Sequence, residues 1–127
     1  MTATGTGLVV YVKDLAAMAS FYERVLDLPR VEGDDSYVVL ERGAVEVVLL
    51  AVDDEVAATI EIATPPRPRE ATPLKPVFHV TDLSAARAAI EASGGVAKPP
   101  STEWTFRDAR VLDGWDPEGN VLQLRCP

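Results

Sequence analysis

The sequence predicts an α+β fold made of two βαβββ modules, and three observations predict it. After one apolar run comes Tyr11-Val12-Lys13-Asp14-Leu15-Ala16-Ala17 and after another comes His79-Val80-Thr81-Asp82-Leu83-Ser84-Ala85, so Val, Asp, Leu and Ala recur at a single offset. In each half a strand-like run leads to a helix and then to about three more strands. Between the halves lies Thr64-Pro65-Pro66-Arg67-Pro68-Arg69-Glu70-Ala71-Thr72-Pro73, too rich in proline to pair as a central strand. The expected organisation is one domain over residues 1–127, with a first module over 1–63, a proline-rich linker over 64–74 and a second module over 75–127.

Asp14 and Asp82 stand where a strand gives way to a helix, where a carboxylate accepts from the free N–H groups of the first turn. The first helix is expected over about Leu15–Leu26, with Leu15, Met18, Tyr22, Val25 and Leu26 at helical spacing and Pro29 as its stop. Ser36–Glu41 and Ala44–Val52 flank Arg42-Gly43 and read as a hairpin. The second helix is expected over about Leu83–Ala92, ending at Ser93-Gly94-Gly95 in a left-handed cap. Val96-Ala97, a run near Ala109–Leu112, and Asn120–Arg125 after the turn Asp116-Pro117-Glu118-Gly119 are the later strands.

One curved sheet with a helix on its back leaves its other face bare, and two such faces brought together enclose a cavity. Strand alternation says which residues look inward. In the first strand Leu8, Val10 and Val12 belong under the helix, while Gly7, Val9 and Tyr11 look inward. Val45, Val47 and Leu49 likewise face the helix, and Glu46, Val48 and Leu50 face inward. The second half repeats this with Lys75, Val77 and His79 inward, and with Val121, Gln123 and Arg125 inward beside the covered Leu122 and Leu124.

Composition narrows the function. With 47% hydrophobic and 25% charged residues the chain suits an ordinary globular core. The apolar runs are too short to span a bilayer, and no secretory leader precedes them, so a cytoplasmic protein is expected. Cys126 is the single cysteine, which leaves no intrachain disulfide and no cysteine-rich metal site. A net charge of −8 argues against nucleic acid and anionic membranes as partners and accommodates a cationic or neutral one more easily. Asp34-Asp35 and Asp53-Asp54-Glu55 read as solvated loop charges. Trp104, Phe106 and Trp115 cluster ahead of the last strand in polar or turn-rich surroundings, where an indole beside a cavity can stack on a planar or cationic ligand for about 1 kcal/mol beyond burial.

The entries at Asp14-Leu15 and Asp82-Leu83, the Phe21-Tyr22 pair, Gly94-Gly95, and Asp116-Pro117-Glu118-Gly119-Asn120 before a strand together resemble the vicinal-oxygen-chelate superfamily. That superfamily includes glyoxalase I, extradiol dioxygenases and drug-binding proteins of the bleomycin-resistance type. In its metal-dependent enzymes, the resemblance implies, four inward strand positions carry His, Gln or Glu ligands. Here those positions fall at Gly7, near Val48, at Lys75 and at Gln123, and only the last offers a usable donor. A displaced set of Glu46, His79 and Gln123 is the metal-binding alternative.

The resemblance therefore implies a binding protein of the bleomycin-resistance type, without metal or other cofactor and without catalytic residues. It would be a homodimer that sequesters a hydrophobic or aromatic small molecule, such as an antibiotic, at the subunit interface. The pocket is expected from Val9, Tyr11, Val48, Leu50, His79, Trp104, Phe106, Trp115 and Gln123, with the tryptophans stacking and Tyr11, His79 and Gln123 fixing orientation. Arg110 and Arg125 are candidate sources of charge. The competing reading is an enzyme, a glyoxalase-like lyase, isomerase or dioxygenase, using the displaced metal site or His79 as a general base.

Overall fold

In the computed structural model, which describes residues 1–127, the chain divides into two units, Met1–Glu61 and Ile62–Pro127. The first runs β1 (Thr6–Val12), α1 (Leu15–Leu26), β2 (Arg30–Gly33), β3 (Tyr37–Arg42), β4 (Val45–Ala51) and the short α2 (Asp54–Ala57). Its sheet has the order β1-β4-β3-β2, with β1 parallel to β4 and the other neighbours antiparallel. The second unit runs β5 (Val77–His79), α3 (Leu83–Ala92), β6 (Val96–Ala97), a 3₁₀ turn (Pro100–Thr102), β7 (Trp104–Phe106), β8 (Ala109–Trp115) and β9 (Val121–Cys126). Its order is β5-β9-β8-β6, again with one parallel pair, and β7 joins β8 beyond the end of β6. The predicted α+β architecture is thus present, with the first unit in βαβββ order and the second adding the short β7 to that order.

Local chemistry explains the helices. The Asp14 carboxylate accepts from Ala17 N at 3.0 Å, and the Asp82 carboxylate accepts from Ala85 N at the same distance. Helix α1 ends on Asp27 in the left-handed region, two residues before the proline expected to stop it. After α3, Gly94 takes a φ of +86° and Gly95 N–H donates to Ile90 O, the reach-back bond of a left-handed cap. The acidic runs have structural employment: Asp53 caps α2 through Val56 N, and Asp34 accepts from Ser36 and Tyr37 N–H in the turn before β3.

Each sheet buries one face under its own helix. In the first unit Met18, Phe21, Tyr22 and Val25 of α1 meet Val10, Val12, Val38, Leu40, Val47 and Leu49, and the Phe21 and Tyr22 rings lie edge to face at 5.0 Å. In the second, Ala86 and Ile90 of α3 cover Leu112, Leu122 and Leu124. Complete burial of one such aliphatic side chain contributes about 1.5–3 kcal/mol.

The proline-rich segment, expected as a linker, is bonded to the second unit at several points. Arg69 N–H donates to Gly119 O, Arg69 Nε to Glu118 O, and the Trp115 indole to Pro66 O. It crosses Gly119 so closely that a Cβ there would come within 2.2 Å of Arg67 O. Trp104 and Phe106, expected only as part of an aromatic cluster ahead of the last strand, form β7. The two-residue turn Arg107-Asp108, with positive φ at both positions, folds them back on β8. Trp115, expected in a turn, ends β8.

Candidate functional site

Alternation leaves the second face of each sheet open. On the first sheet Val9 pairs with Val48 and Tyr11 with Leu50, so four of the expected pocket residues form one apolar patch. Val9 and Tyr11 are 51% and 69% exposed. Beside them Gly7 pairs with Glu46, and the Glu46 carboxylate lies 3.3 Å from where a Cβ of residue 7 would be.

The other expected residues share the second face of the second sheet, where His79, Trp104 and Phe106 are exposed and Gln123 is buried. His79, Arg125, Val111 and Trp104 lie in one cross-strand row over β5, β9, β8 and β7, and Val77, Gln123 and Asp113 form the next. Trp104 and Phe106 remain 43% and 40% exposed, with ring centroids 5.7 Å apart. Trp115 is on this face too, but its indole N–H is already committed to Pro66 O at 2.8 Å, so it is not the free lid that a turn would have made it.

Gln123 sits in the middle of a polar chain. Its Nε2 donates to Asp113 Oδ1 at 3.0 Å and its Oε1 accepts from Arg125 Nε at 2.7 Å. Lys75 Nζ donates to the same Asp113 oxygen at 3.2 Å, and the Arg125 guanidinium carbon lies 4.7 Å from the centroid of the Phe106 ring. Burial pushes the Asp113 carboxyl up, but hydrogen bonds from Gln123 and Lys75, the Lys75 charge and the Trp104 indole outweigh it and hold the group below the usual carboxylate range. The turn that delivers Gln123 is fixed by buried Asp116, whose carboxylate accepts from Glu118 N, Asn120 N and Asn120 Nδ2.

A cavity of about 370 Å³ opens where the proline-rich segment passes the ends of β8 and β9, with Pro68, Leu74, Lys75, Lys98, Asp113 and Trp115 among its walls. Asp113, which sequence reasoning did not single out, joins this cavity to the polar chain. Glu103, also missed, ties α3 to the start of β7. Its carboxylate pairs with Arg87 and, at 3.3 Å, with Arg110, and these partners hold it below the ordinary range.

The donors do not suit the metal of the metal-dependent enzymes. Gly7 and Val48 carry none, the Lys75 amine is paired with Asp113, and the strand neighbours of Gln123 are Val77, which has no donor, and Asp113, whose carboxylate is already engaged by Lys75 and Gln123. No group of three or more His, Cys, Asp or Glu side chains is arranged to hold a metal ion. No helix is long and apolar enough to cross a membrane.

Comparison with known proteins agrees with this architecture. A fosfomycin resistance protein, FosX, from Mesorhizobium loti matches over 100% of this chain and 94% of its own, with a TM-score of 0.70 and 16% identity. A glyoxalase/bleomycin resistance protein from Albidiferax ferrireducens T118 matches over 98% and 99% with a TM-score of 0.68 and 20% identity. A glyoxalase/bleomycin resistance protein/dioxygenase family enzyme from Burkholderia phytofirmans PsJN matches over 94% and 95% with a TM-score of 0.69 and 18% identity. No curated protein matches the sequence. At these identities the likeness is one of fold. A family profile described as a glyoxalase-like domain matches residues 7–125, and the chain belongs to that family, within the vicinal-oxygen-chelate superfamily.

Proposed function

We propose that this is a metal-free binding protein that holds a hydrophobic or aromatic small molecule, an antibiotic among the candidates, against the open sheet faces of a cytoplasmic homodimer. The observation that carries the reading is the exposure of Trp104 and Phe106 on a face that also presents a fixed set of polar groups. Apolar surface with a few oriented polar groups is what small-molecule sites offer. The names of the structural relatives, which include fosfomycin and bleomycin resistance, support a drug as ligand. The departures at Gly7, Val48 and Lys75 support the absence of metal.

Titration with a panel of planar antibiotics, followed by tryptophan emission, tests the reading. At least one compound is expected to quench, to be recovered unaltered by mass spectrometry, and to lose most of its quenching in Trp104→Ala. A panel without effect removes the main support. Conversion of the bound compound that stops in His79→Ala would establish the enzymatic alternative, since His79 stands on the same face.

A further inference from the structure

We propose that Arg125 is the anchor for an acidic group of the ligand, so that the molecule held on this face is a planar aromatic acid; this rests on the binding reading above.

In a chain with 20 acidic and 12 basic residues acids are the easiest partners to find; Arg87 and Arg125 are the two cations that are half-buried rather than exposed, and Arg87 pairs with Glu103. Half-buried Arg125 has no such partner. Its Nε–H is used on Gln123 Oε1, its plane lies near the Phe106 ring, and the two terminal amino groups are left without a protein acceptor. The closest carboxylate in the polar chain, Asp113, is separated from it by the Gln123 amide and already accepts from Lys75 and Gln123. Lys75, Asp113 and Arg125 together therefore leave one positive charge in excess on this face of an acidic protein.

A partly desolvated guanidinium without a counter-charge is costly unless an anion completes it. Its planar fork matches a carboxylate, and the Gln123 bond together with the Phe106 ring fixes the direction of that fork before any ligand arrives. Trp104 and Arg125 lie in the same cross-strand row two strands apart, about 10 Å at ordinary sheet spacing. That span suits a fused bicyclic ring lying against Trp104 with its acid at Arg125. Gln123 and Phe106 are then positioning residues, and the global net charge of −8 misstates what this face selects.

Calorimetric titration of the full-length protein with 2-naphthoate and with neutral 2-naphthamide tests this without depending on any variant. The acid is expected to bind about tenfold tighter than the amide, with the preference shrinking as salt rises. Arg125→Met is expected to weaken the acid by about tenfold and to remove most of its preference over the amide. If acid and amide bind equally and Trp104→Ala weakens both, the anion assignment falls while the aromatic face stands. If neither binds, both readings fall. If Arg125→Met shifts the sedimentation of the ligand-free protein to smaller species, the guanidinium belongs to a carboxylate of a second copy, and the ligand assignment is overturned.

Discussion

Asp113 shows how much one carboxylate can organise. It receives Lys75 and Gln123, and through Gln123 it sets the direction of Arg125. Because the folded carboxyl gives up its proton more readily than the unfolded one, its charged form favours folding. That contribution is complete above the unfolded value of about 3.9 and is lost as pH falls through the lower folded value. Asp113→Asn is therefore expected to be less stable than the parent near neutral pH, by roughly 1–2 kcal/mol. Urea unfolding followed from pH 7 down into the acid range checks this, and the gap should close only once the pH has fallen through the lowered value of the folded carboxyl. In the sequence, Asp113-Gly114 reads as part of a turn, so nothing marked it as a hub. Alternation does give the face that Gln123 occupies, because it depends only on the period of a strand. Its partner depends on register between β8 and β9, which local patterning leaves open.

At the scale of elements, what repeats was legible and what does not repeat was not. The two Asp caps and the helices behind them stand where the recurring motif puts them. The three-residue strand β7 escaped notice because so short a run carries no period, and its turn uses Arg107 and Asp108 where glycine or asparagine would have announced it. The proline-rich segment reads as a spacer from composition, yet three hydrogen bonds and the bare backbone of Gly119 hold it to the β8–β9 turn. Gly119→Ala is expected to lift it, since a methyl group cannot share space with Arg67 O and the φ of +88° already disfavours a side chain. Limited proteolysis should then cut within residues 66–73 while the parent chain resists, and the melting temperature should fall by several degrees, the equivalent of about 1–2 kcal/mol.

For the whole molecule, the class of fold followed from a strand and helix pattern written twice, whereas the occupant of the open faces does not follow from any pattern. Val9 and Tyr11 stand 51% and 69% exposed on one face of the first sheet, apolar surface that an interface between copies would cover. The proposed homodimer accounts for it. Val9→Asp combined with Tyr11→Asp is expected to shift sedimentation from dimer to monomer while far-ultraviolet circular dichroism stays unchanged, because neither side chain belongs to the face packed under α1. A parent protein that sediments as a monomer at micromolar concentration would remove the need for a partner copy.

The two tryptophans turn the protein into its own pair of gauges. Trp115, with its indole tethered to Pro66 O, samples the closure of the proline-rich segment, while Trp104 stands open to solvent on the other tip of the sheet face. Emission collected from Trp104→Phe would report on the tethered Trp115, and emission from Trp115→Phe on the exposed Trp104. One cuvette can thus separate a chain that is coming loose from a chain that is filling up.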